Sequence, residues 1–330
     1  TGIVRDKLGR KMSKTLGNSP DPLDLIAKYG ADAVRIGMLL CASAGNDIFY
    51  DESQVEQGRN FCGKIWNSYR LVKGWAVSKE IGQPQSSAIA VKWFRNKLSQ
   101  TIATVEDHYA KFRISDALMS IYKLFWDDYC SWYLELIKPA YGQPIDKVTY
   151  TETLGFFEAL LKMIHPVMPF ITEELWQDMA ERKEGETIMF QPTPVAGEFD
   201  AAFISSFELA EEAVNAIRGI RQQKNISPKE ELQVMFKGEF PAEMLAVVAK
   251  LANTSSVEVV ADFGNTSEGV SQMVRTVEMY VPLTGKVNVE EEIAKLEAEL
   301  DYQKKFLESV RRKLSNEKFT AHAPEKVVAG

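Results

Sequence analysis

The sequence has few of the residues that build covalent or metal-bound frameworks. Three of its 330 residues are cysteines, Cys41, Cys62 and Cys130, and three are histidines. The cysteines lie far apart without a C-x-x-C pair, which indicates neither a disulfide framework nor a zinc ribbon. The histidines have no metal-ligand spacing. We therefore expect no metal site in the chain and a reducing, cytoplasmic setting.

Long apolar runs are absent as well. No stretch approaches the roughly 18 apolar residues of a membrane span, and no signal peptide opens the sequence. We therefore expect no membrane partner. With 45% hydrophobic residues, the chain is long enough to form about two or three domains with buried cores. Because its first residue, Thr1, is not methionine, we expect it to begin inside a longer protein.

Positive charge is in deficit over the whole chain but not at its start. The formal net charge is -7, yet residues 1–15 hold five cations against one acid, Asp6. The five cations are Arg5, Lys7, Arg10, Lys11 and Lys14. A local excess of this kind suits a polyanion such as a nucleoside triphosphate.

The reactive side chains of this segment are concentrated in residues 11–15, which read KMSKT. Two ammonium groups three positions apart, with the hydroxyls of Ser13 and Thr15 beside them, can neutralise phosphate oxygens as mobile point charges. Gly9 and Gly17 bracket the pair and permit the loop to close and reopen. By itself, a K-x-x-K pattern with hydroxyls also fits a solvated basic loop.

The surrounding sequence favours the functional interpretation. The string resembles the KMSKS signature of class I aminoacyl-tRNA synthetases, and residues 17–22 and 29–35 resemble the segments that come after this signature in the branch for valine, isoleucine and leucine. Thr15 departs from the usual final serine but keeps the hydroxyl. The resemblance implies that Lys14, and to a lesser degree Lys11, stabilise the triphosphate of ATP while pyrophosphate leaves. The residues it assigns to ATP are Lys11, Met12, Ser13, Lys14 and Thr15. It also implies Mg²⁺ in the parent enzyme.

Two short helices are predicted directly after the loop. Asp21 suits an N-cap and Pro22 a first helical position, and this helix ends at Tyr29. A second helix is predicted over residues 31–42. Together they form a platform that joins the loop to the rest of the chain. A longer helix of about 24 residues begins at Ser53.

Three further long helices are predicted over 90–109, 114–137 and 151–164 from apolar residues at helical spacing. Helices of this length with short connections form an antiparallel bundle. In the resemblance this bundle is the anticodon-binding domain. The segment 59–67 in the preceding helix is similar to valyl-tRNA synthetases in particular. Another helix is predicted over 202–224.

Two conspicuous features of the bundle are interpreted as structural. The aromatic run 126–135 could stack on bases, but alternate members fall on the apolar stripe, which favours a core position. His165 has no nucleophile or obvious catalytic partner. It lies in a corner made rigid by prolines, before a helix that Thr172 is expected to cap, so a structural histidine is favoured. Residues 187–190 are predicted to form a short strand.

The last third of the sequence predicts a small α/β domain and a coiled-coil arm. Strands are expected over 231–237, 257–261 and 278–283, with a helix over 241–252. No glycine-rich phosphate loop is present, so we expect no chemistry there. The apolar seam consists of Ile293, Leu296, Leu300, Gln303, Leu307, Val310 and Leu314.

The coiled-coil segment also resembles a family feature. Residues 289–328 are similar to the C-terminal hairpin of valyl-tRNA synthetases, whereas the cysteine-rich zinc element typical of the isoleucine enzyme is absent. A second helix is predicted to begin at Pro324, and the sequence stops at Gly330 after about two turns. We therefore expect the arm to be truncated in its second helix.

Basic residues outside the loop are candidates for contact with RNA phosphates. One group lies at the end of the helix over 202–224, where cations are also common for helix-dipole reasons alone. The other lies in the arm. The candidates are Arg218, Arg221, Lys224, Lys304, Lys305, Arg311, Arg312 and Lys313.

The sequence therefore predicts a mainly α protein with four parts. These are the end of a class I catalytic domain with its loop and platform (1–52), an anticodon-binding helix bundle (53–230), a small α/β domain (231–286) and a coiled-coil arm (287–330).

The resemblance implies the C-terminal half of an enzyme of the valyl-tRNA synthetase family. Such an enzyme activates valine with ATP and transfers it to tRNA(Val). We expect a monomeric parent and a fragment without activity of its own. The residues identify no cofactor that the fragment binds by itself. The alternatives are an isoleucyl- or another class I aminoacyl-tRNA synthetase, and a non-catalytic RNA-binding relative.

Overall fold

A computed structural model describes residues 2–42, 45–264, 269–283 and 300–311. The chain divides into two compact units. The first comprises Thr1–Val214 and Glu239–Ala252, and the second comprises Asn215–Gly238 and Asn253–Gly330. Among the described residues, no helix is long and apolar enough to cross a membrane.

The first unit is helical. Its helices are α1 (Pro22–Tyr29), α2 (Ala31–Leu40), α3 (Glu52–Lys73), α4 (Gln85–Ala110), α5 (Ile114–Lys123), α6 (Leu134–Ile137), α7 (Lys147–Ile164), α8 (Pro169–Met179), the first part of α9 (Ala201–Gln223) and α10 (Leu245–Ala252). A π-helix, Leu124–Tyr133, joins α5 to α6. Two parallel strand pairs are β1 (Val4–Arg5) with β2 (Ile48–Phe49) and β3 (Val77–Ser78) with β4 (Ile145–Asp146).

The predicted platform is confirmed as helices α1 and α2. Asp21 caps α1, since its carboxylate accepts the N–H of Leu23, and Pro22 occupies the first turn, where no N–H is needed. Helix α2 then packs on α3 with almost no gap between the backbones. A Cβ at Gly58 would lie 2.3 Å from the carbonyl oxygen of Ala33. The platform is therefore fixed to the first long helix of the bundle.

Alternate members of the aromatic run lie in the core, as predicted, whereas Trp126 and Trp132 are half-buried. Phe125, Tyr129 and Tyr133 are fully buried. The rings of Tyr129 and Tyr133 stack with centroids 5.5 Å apart, and the ring of Phe94 from α4 lies 5.3 Å from that of Tyr129. The π-helix was not predicted. Its wider i→i+5 turn brings residues four apart nearly into line, so these three side chains face inward together.

The corner between α7 and α8 differs from the prediction in one residue. Thr172 is not the N-cap of α8. The helix begins earlier, at Pro169, and Thr172 is buried within its first turns, where its hydroxyl donates to the carbonyl of Met168 at 2.7 Å. The proline at the first helical position explains the earlier start. His165 is structural, as predicted. Its Nδ1 lies 2.7 Å from the Thr172 hydroxyl, and burial lowers its pKa.

The predicted strand at 187–190 is wrong. Residues Ile188–Phe190 form a 3-10 turn, and the hydroxyl of Thr187 accepts the N–H of Met189 at its start. A hydroxyl that bonds to a backbone N–H two residues on favours a turn over an extended strand.

The second unit contains a four-stranded sheet with the order β6-β5-β8-β7. Its strands are β5 (Leu232–Lys237), β6 (Thr254–Val259), β7 (Gly269–Val274) and β8 (Val277–Pro282). Strands β5 and β6 are parallel, whereas β8 pairs antiparallel with both β5 and β7. Strand β7 was not predicted. The helix predicted at 241–252 is a 3-10 turn, Ala242–Met244, followed by α10, and both belong to the first unit.

Residues 300–311 are helical, in agreement with the predicted arm. Leu300 and Leu307 are 54% and 49% exposed, so within the described residues the apolar seam is open. The remaining seam residues Ile293, Leu296 and Leu314 and the predicted second helix lie outside the described residues.

Candidate functional site

The lysine loop, residues 6–18, begins directly after β1. A tight turn forms first, because the N–H of Gly9 donates to the carbonyl of Asp6 at 2.9 Å, and the N–H of Asp6 to that of Arg10 at 3.0 Å. Gly9 has φ +76°, a conformation that glycine adopts without steric cost. The chain then runs back beside its own start, where Arg5 and Lys11 form an isolated antiparallel bridge.

Most of the positive charge counted at the start of the sequence is neutralised within the fold. The pairs are Arg5 with Asp47, Lys7 with Asp51 (2.9 Å) and Arg10 with Asp6 (2.7 Å). The count of five cations and one acid in residues 1–15 therefore overstates the positive charge that this segment presents to a ligand. Two of the acids lie more than 40 residues along the chain, where a local count does not reach them.

Lys11 and Lys14 are the exceptions. Both are exposed, and within the described ranges neither ammonium group has a carboxylate within 4 Å. The two lysines singled out from the sequence are thus the cations of this segment that remain available to an anion.

Lys14 sits in a single turn of chain that begins at Ser13. The Ser13 hydroxyl accepts the N–H of Thr15 at 3.1 Å, and the Ser13 carbonyl accepts the N–H of Leu16 at 3.2 Å. The N–H of Gly17 donates to the Lys14 carbonyl, and Gly17 ends the turn with φ +64°. The turn directs its polar groups to solvent, as a binding loop requires.

The base of the loop is fixed by the carboxylate of Asp6. It accepts the N–H groups of Leu8 at 3.0 Å and Arg10 at 2.8 Å, as well as the side chain of Asn18 at 2.9 Å. The hydrogen bond from Asn18, with those from Arg10, lowers the pKa of Asp6 to about 2. Asp6 is therefore ionised at neutral pH and acts as an anchor.

Two further acids connect the loop to the helices behind it. Asp51 caps α3 by accepting the N–H of Ser53, and this bond, together with Lys7, lowers the pKa of Asp51 to about 2. Asp47 precedes β2 and pairs with Arg5, which lowers its pKa as well. The basic segment is thus tied to β2 and to the start of α3 through charged groups.

The candidates for RNA contact in α9 divide into two kinds. Arg218 is exposed and Lys224 is half-buried. Arg221 is 6% exposed, and its guanidinium donates to the carbonyls of Ser227 and Asn253, at 2.9 Å each. Arg221 therefore holds the turn after α9 and is not placed to contact phosphate.

The candidates in the arm are described only in part. Lys304, Lys305 and Arg311 are exposed along residues 300–311, and Lys305 pairs with Asp301 at 2.6 Å. Arg312 and Lys313 lie outside the described residues. Across the ranges that the structure covers, no group of three histidine, cysteine or acidic side chains could hold a metal ion.

Sequence reasoning missed the residues that support the loop. Asp6 and Asn18 lie on either side of the lysines, and their ability to bond backbone groups locally was the available signal. Asp51 carried the same kind of local signal as the N-cap of α3, but not for its pairing with Lys7. Asp47 carried none, because its partners Ile3 and Arg5 are distant in the sequence.

Three family models match the chain. Residues 1–51 match tRNA synthetases class I (I, L, M and V), residues 91–236 match the anticodon-binding domain of tRNA ligase, and residues 288–330 match the valyl tRNA synthetase tRNA binding arm.

Curated relatives agree over almost the whole chain. The valine–tRNA ligases of Parabacteroides distasonis and Phocaeicola vulgatus are 57% and 56% identical over 99% of this chain. That of Fusobacterium nucleatum is 38% identical over 99%. The chain spans 37% of the length of the first two and 39% of the third.

Similarity to solved structures is weaker. A complex of Agrobacterium radiobacter LeuRS with tRNA matches at 17% identity and a TM-score of 0.44, over 72% of this chain and 25% of that one. A score that low does not establish a shared fold. The family models and the curated relatives together show that the chain belongs to the valyl-tRNA synthetase family of class I aminoacyl-tRNA synthetases.

Proposed function

We propose that this chain is the C-terminal part of a valine–tRNA ligase, which activates valine with ATP and esterifies it to tRNA(Val). The observation that carries the proposal is the pair of exposed ammonium groups of Lys11 and Lys14, which have no acidic partner among the described residues, in the segment that matches the class I synthetases. The three neighbouring cations are held by acids.

In adenylate formation, a carboxylate oxygen of valine bonds to the α-phosphorus of ATP while the bond to the leaving pyrophosphate breaks. Negative charge builds up on the pyrophosphate oxygens. Cations that meet this charge in the transition state accelerate the step. We assign this role chiefly to Lys14, in the turn that starts at Ser13, and secondarily to Lys11. Met12, Ser13 and Thr15 complete the loop that contacts ATP.

Mg²⁺ is implied by the family, but this chain offers no ligands for it among the described residues around the loop. The three carboxylates there are each paired with a lysine or arginine, and an engaged carboxylate is a poor ligand for a hard cation. Mg²⁺ usually reaches such sites with the phosphates of the substrate. We therefore derive no step through it.

The rest of the chain is proposed to bind tRNA. Support comes from the matches to the anticodon-binding domain and to the tRNA binding arm, and from exposed cations such as Arg218, Lys304 and Arg311. We keep the boundaries 1–52, 53–230, 231–286 and 287–330 as proposed domains. We also propose that the parent protein is a cytoplasmic monomer.

Equilibrium binding to RNA tests the tRNA part of the proposal. We would measure this chain against a tRNA(Val) transcript and the same transcript with an isoleucine anticodon, each at two salt concentrations. We expect tighter binding to the valine form and weaker binding of both at high salt. Equal binding would contradict anticodon reading by this chain, and tighter binding to the isoleucine form would favour an isoleucyl enzyme.

Valine-dependent ATP–pyrophosphate exchange tests the catalytic part. We expect exchange in the full-length ligase and none above background in the pure chain, because the lysine loop and platform are the only parts of the catalytic domain that we assign to this chain. Exchange by the chain alone would contradict its assignment as a part. A full-length protein without exchange would indicate a non-catalytic RNA-binding relative.

A further inference from the structure

We propose that Asn18 is a positioning residue for the lysine loop. Its side-chain amide fixes the loop backbone and keeps Asp6 engaged, so that Lys11 and Lys14 stay available to the triphosphate. The inference rests on the proposed function, in which this loop acts on ATP.

The amide of Asn18 joins three parts of the loop. Its Nδ2 donates to the carboxylate of Asp6 at 2.9 Å and to the carbonyl of Lys11 at 3.3 Å. Its Oδ1 accepts the N–H of Ser13 at 2.9 Å. One half-buried side chain therefore connects the turn before the lysines with the backbone that carries them.

The contact to Ser13 determines where the turn of Lys14 begins. Ser13 opens that turn through its hydroxyl and its carbonyl, which accept the N–H groups of Thr15 and Leu16. Without Asn18, no side chain among the described residues holds the Ser13 N–H. The turn would then lose its fixed start, and the ammonium group of Lys14 its defined position.

The contact to Asp6 protects the charge of the lysines. Asp6 accepts hydrogen bonds from Leu8, Arg10 and Asn18, so that each of its two carboxylate oxygens already has two donors. If Asn18 is removed, one oxygen of Asp6 loses a partner in a loop whose two lysines have no acidic partner in the part of the chain that the structure describes. Pairing of Asp6 with Lys11 would then neutralise a charge that the leaving pyrophosphate needs.

The role is local, since Asn18 is half-buried and its neighbours in the chain, such as Leu16 and Ser19, are exposed. Loss of its amide should therefore disturb the loop without unfolding the chain. The test compares Asn18→Asp with Asn67→Asp, which makes the same chemical change at an exposed position of α3.

The first readout is valine-dependent ATP–pyrophosphate exchange in the full-length ligase. Asn18→Asp sets a second carboxylate against Asp6, and two adjacent carboxylates resist joint ionisation. We expect kcat to fall about tenfold at about pH 8, with the KM for valine within about twofold. Asn67→Asp should match the wild type.

The second readout uses this chain by itself. Limited trypsin digestion followed by mass spectrometry reports cleavage after Lys11 and Lys14. We expect cleavage several-fold faster in Asn18→Asp than in Asn67→Asp. If Asn18→Asp does not fold, Asn18→Ala removes the amide without adding charge and should show the same faster cleavage and a several-fold lower kcat.

Each outcome separates the inference from the proposed function. Equal cleavage of Asn18→Asp and Asn67→Asp, or a kcat of Asn18→Asp equal to that of Asn67→Asp, overturns the role of Asn18. Absence of exchange in the wild-type ligase overturns the proposed function, whereas the trypsin comparison still decides whether Asn18 holds the loop.

Discussion

The carboxylate of Asp32 in α2 accepts the backbone N–H of Ile171 at the start of α8, 139 residues later, at 2.7 Å. It also accepts the N–H of Phe170 at 3.3 Å. Helix α8 has no side-chain cap of its own, and its first residue, Pro169, has no N–H. The N–H groups that a helix start leaves unpaired are therefore satisfied by a residue of the platform.

Removal of this remote cap should destabilise the chain. Asp32 is 6% exposed, so Asp32→Ala leaves two backbone donors without a partner away from water. We expect the free energy of unfolding to fall by about 1–3 kcal/mol, measured by urea denaturation. Asp24→Ala, at an exposed position of α1, is the control and should cost about 0.5 kcal/mol. Equal effects of the two changes would contradict the cap.

The two lysines of the loop should affect the chemical step unequally. In the full-length ligase we expect Lys14→Ala to lower the kcat of ATP–pyrophosphate exchange by about 100-fold, and Lys11→Ala by less, because each meets charge that forms in the transition state. The KM for valine should change little. Lys79→Ala removes an exposed lysine before α4 and serves as the control. A Lys14→Ala enzyme that behaves like this control would exclude the assigned role.

Two half-buried acids, Glu211 of α9 and Asp128 of the π-helix, should make stability depend on pH. Burial, with the nearby charge of Asp128, raises the pKa of Glu211 to about 8, and burial raises that of Asp128 to about 6. The charges of Glu208 and Glu212 also raise the pKa of Glu211, whereas the charge of Lys97 lowers it. Among the described residues, Oε1 of Glu211 has no hydrogen-bond partner.

The direction of the change in stability with pH depends on whether the folded or the unfolded chain keeps the Glu211 proton. Below about pH 4.5 both the folded and the unfolded chain keep the Glu211 proton, and from there to about pH 8 only the folded chain keeps it. The free energy of unfolding should therefore fall as pH rises through this range. We expect Glu211→Gln to stabilise the chain by about 1–3 kcal/mol at about pH 8 and to have little effect at about pH 4. Glu212→Gln, on the exposed side of α9, should change the pH profile far less, because Glu212 makes the smallest contribution to the raised pKa of Glu211. An unchanged profile in Glu211→Gln would contradict the effect.

Substitution of Arg221 should affect the stability of the chain, whereas substitution of Arg218 should affect its binding to RNA. Arg221→Gln removes a buried guanidinium that holds two carbonyls, and we expect about 1–3 kcal/mol less protection of the Leu232 amide in hydrogen exchange. Affinity for tRNA should stay within about twofold. Arg218→Gln should leave this protection unchanged. It should reduce the slope of log tRNA affinity against log salt concentration by about one. The opposite pattern would reverse the two roles.

The helices of the first unit were predictable because their signals are local. Apolar residues recur at helical spacing, and Asp21 with Pro22 marks the start of α1 within two positions. Strand β7 was missed because its burial alternates poorly and its pairing with β8 is what makes it a strand. The π-helix was missed because its apolar spacing resembles that of an α-helix over short lengths.

The sequence by itself determined the helical character of the chain, the position of the lysine loop and the family, since each depends on residues close together in the chain. Only the tertiary structure decided which charges remain available. Arg5 is neutralised by Asp47 and Arg221 is buried against Asn253, whereas Lys11 and Lys14 remain unpaired within the described part of the chain. The physical reason is that an ion pair or a desolvated guanidinium depends on distance in space, which a fold sets between residues that sequence spacing does not relate.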